Sequence, residues 1–577
     1  MIQTLSKAPK RWREDYDFKS KLWAITVVAV VATCSFQLWW FARTCFNEID
    51  YDGVGYLGIA RHIRQGQFYA AINSIRSPLI SWLIAGLSFT DRDYLHLGKL
   101  VNVGSFLMCA LLLYVLAESL WRSRLAAALA TLLFVLGRGL AAAAVESITP
   151  DFLFAALTLV YFLLLLRALG EDRLRDWFSL GAIHGVAFLA KAFALPWLAL
   201  CTVTALAVSG KQWKSRVARL AAAALIPAVI AAGWAAVLHS KYGVYTTGSQ
   251  FRLNLVQWTL GAAREHRDPT YAVLTDTAKD YDEYVVLDMP PGSWMWTYPI
   301  DVSKALPKIM RVEMRNLPRA AKEMAVVETP GGLLAFLFAL VVLVRRRRQT
   351  SPQTSTSSSS STSIAWRFAV VTAVAAVSLV GAYSMLVVDA RYLFPLMPLV
   401  LAVSAGFLTG EVDFDFRLWR KLCIALVIVG VVFSLTYRSS PFRTLTRDFQ
   451  FSCYDAGHRL KAHGGSRIVS LGAGPFPAHG VGWEAGFKAA YFGGSRLVGT
   501  MDSLPQPTEL NSLMIDIGKA SPDAMLVWGR PDDPGRASLL ASLALLYPHN
   551  SREKILDPAL GEVGVVVFPP RPGTGGT

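Results

Sequence analysis

Two aspartates stand two positions apart just beyond the first long apolar run, in 47-NEIDYDGVGYLGIARHIRQGQF-68. Asp50 and Asp52 precede a helix-like pattern, with Tyr56 and Ala60 at i+4 and i+8 from Asp52 on one helical face. Gly53 falls where that helix would begin. Asp52 then reads as a carboxylate at a helix N-terminus, where the dipole favours its ionised form. Such a carboxylate can take a proton from a hydroxyl or an amine. Arg76 follows in 76-RSPLISW-82. Further on, single charges end or interrupt apolar runs: Glu146 and Asp151 about 145-VESITP-150, Lys191, and Asp389 with Arg391 in 389-DARY-392. Charge in such places is expensive and often functional. Carboxylates among cations suit one chemistry in particular. The acid removes a proton from an acceptor while the cations stabilise a phosphate, either a headgroup or a leaving group. If that phosphate belongs to a lipid, no nucleotide or other cofactor is needed; whether a divalent metal takes part stays open.

Each residue has a plainer reading. Asp52 could be the N-cap of a helix starting at Gly53, and Asp50 a solvated or supporting group. Asp151 after Pro150 could be a first-turn acid, and Glu146 an ordinary loop acid. Arg76 and Lys191 could snorkel to headgroups. Arg391 could be the structural partner of Asp389. His184, in an apolar helix, reads as a satisfied core histidine.

The elements that would position these residues follow from composition. The chain has 577 residues, 53% hydrophobic and 17% charged, against about 25% charged in a soluble protein. Its long apolar runs make it a polytopic α-helical membrane protein. A net charge of +16 would suggest nucleic acid in a soluble chain. Here the basic residues flank apolar runs, so orientation and anionic headgroups account for them and no nucleic-acid partner is expected. The six cysteines have no metal-binding or CxxC spacing.

Residues 1–20 read as a cytoplasmic N-terminus, 21–439 as a transmembrane domain of about eleven spans, and 440–577 as an extracytoplasmic α/β domain. Long outer loops run over 43–93 and 240–329, the latter with an amphipathic stretch near 303–325. The Ser/Thr tract 349–363 reads as a disordered cytoplasmic linker. The run 179–209 splits in two near 191–194. Basic clusters such as 345-RRRR-348 fall on the loops assigned inside. That sets Asp50, Asp52, Arg76, Glu146, Asp151, Lys191, Asp389 and Arg391 at one outer face. In the tail, 467–471, 495–500 and 523–529 read as strands, and 507–519 and 536–546 as helices. The run 472-GAGPFPAHG-480 reads as a turn and not a phosphate cradle, having two prolines and no helix start after it.

The stretches 52-DGVGYLGIAR-61 and 76-RSPLISW-82 resemble the first outer loop of the glycosyltransferase C superfamily, most nearly the protein O-mannosyltransferase and lipid A aminoarabinose transferase branch. The pieces 150-PDFLFAAL-157, 185-GVAFLAKAFALP-196 and 391-RYLFPLMP-398 agree in order and spacing. The resemblance implies a polyprenyl-phosphate-linked sugar as donor, a lipid, glycan or protein acceptor, transfer at the outer face and inversion at the anomeric carbon. It carries the catalytic carboxylate onto Asp52 and a phosphate-binding cation onto Arg76, with Lys191 and Arg391 as helpers and Tyr56 beside them. The chain departs from the family at one place. Gly53 stands where a second acid usually follows the aspartate, so Asp50, Glu146 or Asp151 would have to supply it. The expectation is an integral membrane glycosyltransferase of a bacterial inner membrane. Its rivals are a transporter or lipid-sugar flippase, and a glycan-binding scaffold.

Overall fold

The computed structural model describes residues 10–44, 49–260, 300–349, 359–411, 417–436, 443–472, 481–501 and 513–569, less 91–92, 138–139, 172, 329, 387–388, 466, 516, 518–521, 530, 533, 549 and 558–560. Up to residue 436 these are almost all helical. In order they are α1 (Lys10–Thr44), α2 (Tyr51–Arg64), α3 (Leu79–Leu87), α4 (Tyr94–Trp121), α5 (Arg124–Val135), α6 (Leu140–Glu146), α7 (Asp151–Glu171), α8 (Leu174–Ala190), α9 (Ala194–Val208), α10 (Trp213–Tyr242), α11 (Val302–Glu328), α12 (Pro330–Gln349), α13 (Ser359–Ser384), α14 (Met397–Leu408) and α15 (Arg417–Thr436).

Four described helices are long and apolar enough to cross a bilayer: α4, α7, α10 and residues 364–384 of α13. A fifth counts if α5 and α6, bent by 54° to one another, form one span. Helices also stand at the other positions where spans were expected, but their apolar parts are shorter. The described residues therefore support four or five spans by this measure, not the expected eleven. Part of the difference lies at Lys191, where the anticipated break, an extended backbone (φ −153°, ψ 117°), leaves α8 and α9 at 17 and 15 residues, each shorter than a typical bilayer crossing. Pro196 lies in the first turn of α9, where its missing N–H costs no hydrogen bond. The expected linker is partly corrected too: residues 359–363 open α13, while 350–358 lie outside the described residues.

The helices meet through small residues, as helices in lipid must when burial alone gives no drive to associate. A side chain at Gly181 of α8 would strike the Ala223 carbonyl of α10, and one at Gly331 of α12 would strike Val427 of α15. The core between them is aromatic and aliphatic, with Phe106, Phe152 and Phe394 in successive ring contact. Outward faces carry exposed apolar residues such as Leu107 and Leu111 on α4 and Val229 on α10.

The tail holds α16 (Arg443–Ala462), β1 (Arg467–Leu471), α17 (Val481–Gly493), β2 (Arg496–Met501), β3 (Ala524–Trp528), α18 (Pro534–Leu546), β4 (Ser551–Asp557) and β5 (Gly561–Phe568). The sheet order is β2-β1-β3-β5-β4; β1 pairs in parallel with β2 and β3, and β5 is antiparallel to β3 and β4. All of β3 is buried. Its Leu526 and Trp528 face α16 and α17, and Met525 and Val527 face α18, the period-two alternation of a sheet covered on both sides. Three strands and α18 stand where the sequence placed them, while α16, α17, β4 and β5 were not anticipated. The reading that no helix follows 472–480 is corrected by α17 at Val481; 473–480 themselves lie outside the described residues, as does most of 507–519.

Candidate active site

The acidic pair is built into the start of α2. Asp50, not Asp52, is the N-cap: its backbone is extended (φ −81°, ψ 159°) and its Oδ1 accepts from the Gly53 amide at 3.2 Å. Asp52 is the acid of the first turn, and Arg61, His62 and Arg64 complete the last turn, so both ends suit the helix dipole. Asp52 is thus not the cap that its plainer reading made it, and of the two readings of Asp50, solvated or supporting, the structure gives the supporting one. Asp50 Oδ1 also accepts from the Ile148 amide at 2.9 Å, tying α2 to the segment after α6. Asn102 of α4 holds that segment in turn by donating to the Ser147 carbonyl. Gly53 is required here, because a Cβ would lie 2.7 Å from Asp50 Oδ1 and 3.1 Å from Ile148 Cβ.

Asp52 is bracketed by two guanidiniums. Arg76 Nη1 lies 2.6 Å from its Oδ1 and Arg391 Nη1 lies 2.9 Å from its Oδ2, and all three side chains are largely buried. Arg391 also reaches Asp389 through Nε at 3.1 Å and approaches Asp50 Oδ2 at 3.8 Å. Burial alone would raise the Asp52 carboxyl, but Arg76 and Arg391 overcome it and hold the group below the usual carboxylate range. Asp50 goes the other way. Burial, then the charge of Asp52, push it up to about 6 against the opposing pull of Arg391, the Ile148 amide and Lys488. Two neighbouring carboxyls are thus driven apart in proton affinity, a common arrangement where acid and base roles are divided.

The cations are themselves held. The Asn73 side chain accepts from the Ile75 and Arg76 amides at 2.8 and 2.6 Å, an Asx turn that sets the Arg76 backbone. Residues from the second long loop clamp the same turn: Ser74 Oγ lies 2.7 Å from Ser249 Oγ, and Lys241 Nζ donates to the Ile72 carbonyl at 2.6 Å. Tyr56 is buried below, with the Arg76 guanidinium over its ring at 5.5 Å. Arg391 sits on a short 3-10 turn, Ala390–Leu393, whose first amides are capped by Asp389.

A second pair lies alongside. Lys191 Nζ, at the break between α8 and α9, is 2.5 Å from Asp151 Oδ1, and it lies over the rings of Tyr392 and Tyr383 at 4.7 and 5.5 Å. Glu146 is half-buried at the end of α6, two residues ahead of Ile148. His184 is a core histidine bonded to the Leu195 carbonyl at 3.0 Å. Among the described residues no three His, Cys, Asp or Glu side chains group as a metal site.

The structure therefore brings Asp50, Asp52, Tyr56, Arg76 and Arg391 into one cluster, with Asp151 and Lys191 as an adjoining pair. Sequence reasoning missed Asn73, Ser74, Lys241, Ser249 and Tyr392. Asn73, three residues before Arg76, is the kind of turn former that could have been read. The clamp from Lys241 and Ser249 leaves no local signal.

Residues 75–234 match the family described as dolichyl-phosphate-mannose-protein mannosyltransferase. The chain resembles the glycosyltransferase C superfamily. Its fold is similar to that of ArnT from Cupriavidus metallidurans bound to undecaprenyl phosphate, with a TM-score of 0.52 at 14% identity over 94% of this chain and 97% of that one. It is also similar to an oligosaccharyltransferase from Archaeoglobus fulgidus in the apo form, with a TM-score of 0.50 at 10% identity over 93% of this chain and 74% of that one. No curated protein matches the chain by sequence. The family match over part of the chain and the similar fold bear out the resemblance, and the apolar helices make the chain an integral membrane protein. The glycosyltransferase C family match includes Arg76, Glu146, Asp151 and Lys191 and leaves Asp50, Asp52 and Arg391 outside its limits.

Proposed function

We propose that the protein transfers a sugar from a polyprenyl-phosphate donor to a hydroxyl or amine acceptor at the outer membrane face, with Asp52 as general base. The observation that carries this reading is the buried Arg76–Asp52–Arg391 arrangement at 2.6 and 2.9 Å. Its two guanidiniums are an anion grip already occupied by the carboxylate. A donor phosphate competes for both, since planar guanidinium forks suit phosphate as well as carboxylate. As they turn to the phosphate, Asp52 loses the charges that depress its proton affinity and becomes a better base.

In the transfer, Asp52 takes the acceptor proton and the acceptor oxygen or nitrogen bonds to the anomeric carbon. The bond from that carbon to the phosphate oxygen breaks, and polyprenyl phosphate leaves with the electron pair, stabilised by Arg76 and Arg391. Attack opposite the leaving group inverts the anomeric centre. Lys191, neutralised by Asp151 in the resting site, is a further cation within the same wall. The undecaprenyl phosphate bound by the structurally similar ArnT supports a polyprenyl-phosphate donor, and the distribution of basic clusters supports an orientation with the tail outside.

The test uses purified protein in detergent, a panel of polyprenyl-phosphate sugars and a membrane extract as acceptor source, following release of lipid phosphate. Release by wild type and at most about one-hundredth of that rate by Asp52→Asn is expected. Equal release by the two sinks the base assignment, and no release from any donor sinks the transferase reading.

A further inference from the structure

The tail helix α17 lies between the tail sheet and the acid-bearing helix. On one side it packs on β1 and β2, closely enough that a side chain at Gly486 would strike Ser470. On the other it packs on α2. Its Tyr491 and Phe492 join the apolar cluster of Ile49, Val54, Leu57 and Ile148, and the Arg61 guanidinium of α2 lies over the Tyr491 ring at 5.7 Å. One turn before Tyr491, at Lys488, α17 carries a lysine that is only 1% exposed. Lysine has a long apolar stem that normally carries its charged head to water, so complete burial is unusual and marks an electrostatic partnership. Three and four residues before Tyr491 and Phe492, Lys488 shares the face of α17 that meets α2, and its charge acts on Asp50 behind Arg391 and the Ile148 amide.

We propose that Lys488 is a positioning residue for the transfer, a charge brought by the tail to the start of α2 that steadies the Asp50 carboxylate on the Gly53 and Ile148 amides and thereby fixes Asp52. The inference rests on the transferase reading for its consequence, but the packing of α17 on α2 does not. The charged groups about Asp50 come from every element packed there: Asp52 on its own helix, Arg391 with Asp389 from the 3-10 turn, Lys488 from α17, and the half-buried Glu146 just ahead of the Ile148 amide. Among the described residues, only Lys488 comes from the tail. An ionised acceptor binds an amide more strongly than a neutral one, so loss of the lysine loosens the two bonds that Asp50 makes at 3.2 and 2.9 Å.

Hydrogen exchange on the intact protein without substrate reads this directly. Lys488→Met should exchange several-fold faster over residues 49–56 and 145–150, with β1 and β3 still protected. Lys488→Arg should behave as wild type. In an Asp50→Asn background, Lys488→Met should add nothing, because no charge remains at 50 to support. The acidic limb of turnover should move up by roughly a few tenths of a pH unit in Lys488→Met and stay in place in Lys488→Arg. Unchanged exchange over both segments overturns the proposal, as does the same increase in the Asp50→Asn background or an unmoved acidic limb. Loss of protection over β1 and β3 in both Lys488 variants also overturns it, making the lysine a packing residue of the tail. If wild type shows no turnover with any donor, the transferase reading falls, and the exchange results still decide the Lys488–Asp50 coupling.

Discussion

Asp52 on α2 and Glu562 on β5 are each gripped by two cations, yet the two arrangements have little else in common. Glu562 receives Arg536 at 2.5 Å and Lys554 at 2.8 Å, and the Lys554 side chain is 72% exposed. Its partners lie on the neighbouring helix and strand, and Arg536 is also bonded to the Gly529 carbonyl at 2.7 Å. Asp52 draws Arg76 and Arg391 from distant segments into a place that is largely closed to water. The tail cluster opens to water only through Lys554, since the Arg536 and Glu562 side chains are 3% and 16% exposed, and that outer ion pair contributes little. A buried one carries a desolvation cost that apolar residues of the same volume would avoid, so its retention calls for a use other than stability. The tail cluster ties a helix to a sheet. The α2 cluster stores two guanidiniums where an anion can take them over.

The comparison breaks most visibly in turnover. Asp52→Asn is expected to cost at least about 100-fold in lipid-phosphate release, whereas Glu562→Gln stays within about twofold. Comparable losses from both would remove the distinction. Gly53→Ala should cost about 10- to 100-fold by forcing the Asp50 carboxylate from its place, since small misplacements of a reacting group are severe. A crystal or cryo-EM structure of that variant with Asp50 unmoved would refute the steric argument. Arg76→Lys keeps the charge but loses the planar fork, and about a tenfold rise in the donor concentration for half-maximal rate is expected, against no change for Lys554→Gln.

The smallest effect concerns stability and pH. Asp50 has a folded proton affinity raised from 3.8 to about 6. For a group raised in this way, the stabilising contribution is full below the unfolded value and is lost as pH rises through the folded one. Ionised Asp50 therefore costs stability at neutral pH. Asp50→Asn, which can still accept from Gly53 and Ile148, should be about 1–2 kcal/mol more stable at pH 7, with the advantage gone near pH 4. Thermal unfolding in detergent at the two pH values checks this; a variant less stable at both would contradict it.

Much of the site was legible because charge in an apolar chain is conspicuous. Asp52, Arg76, Asp151, Lys191 and Arg391 each stand at the end or in the middle of an apolar run, and the structure brings them together. The break at Lys191 was readable for the same reason, a charge and a nearby proline inside one run. The identity of the cap was not, because Asp50 and Asp52 offer the same chemistry to sequence inspection. Only the close fit of Gly53 under the Asp50 carboxylate separates them. That fit also gives a physical account of the departure from the family pattern, since any side chain at 53 would displace Asp50. In the tail, 561-GEVGVVVF-568 is β-branched and apolar and could have been read as a strand. The charged 551-SREKILD-557 hides its alternation, and α17 follows a proline-containing run that argued against a helix. Lys488 carried no signal, because its burial depends on a helix docking across the molecule.

The packing of α17 on α2 has a consequence for biosynthesis. Asp52 leaves the ribosome among the first sixty residues, but its partner Arg391 is made late and Lys488 later still. A nascent chain therefore carries Asp52 long before the last of the charges that surround it is made. Contacts this distant in sequence form slowly and last. The cluster cannot be assembled by a truncated product, so a prematurely released chain would carry Asp52 without Arg391 beside it.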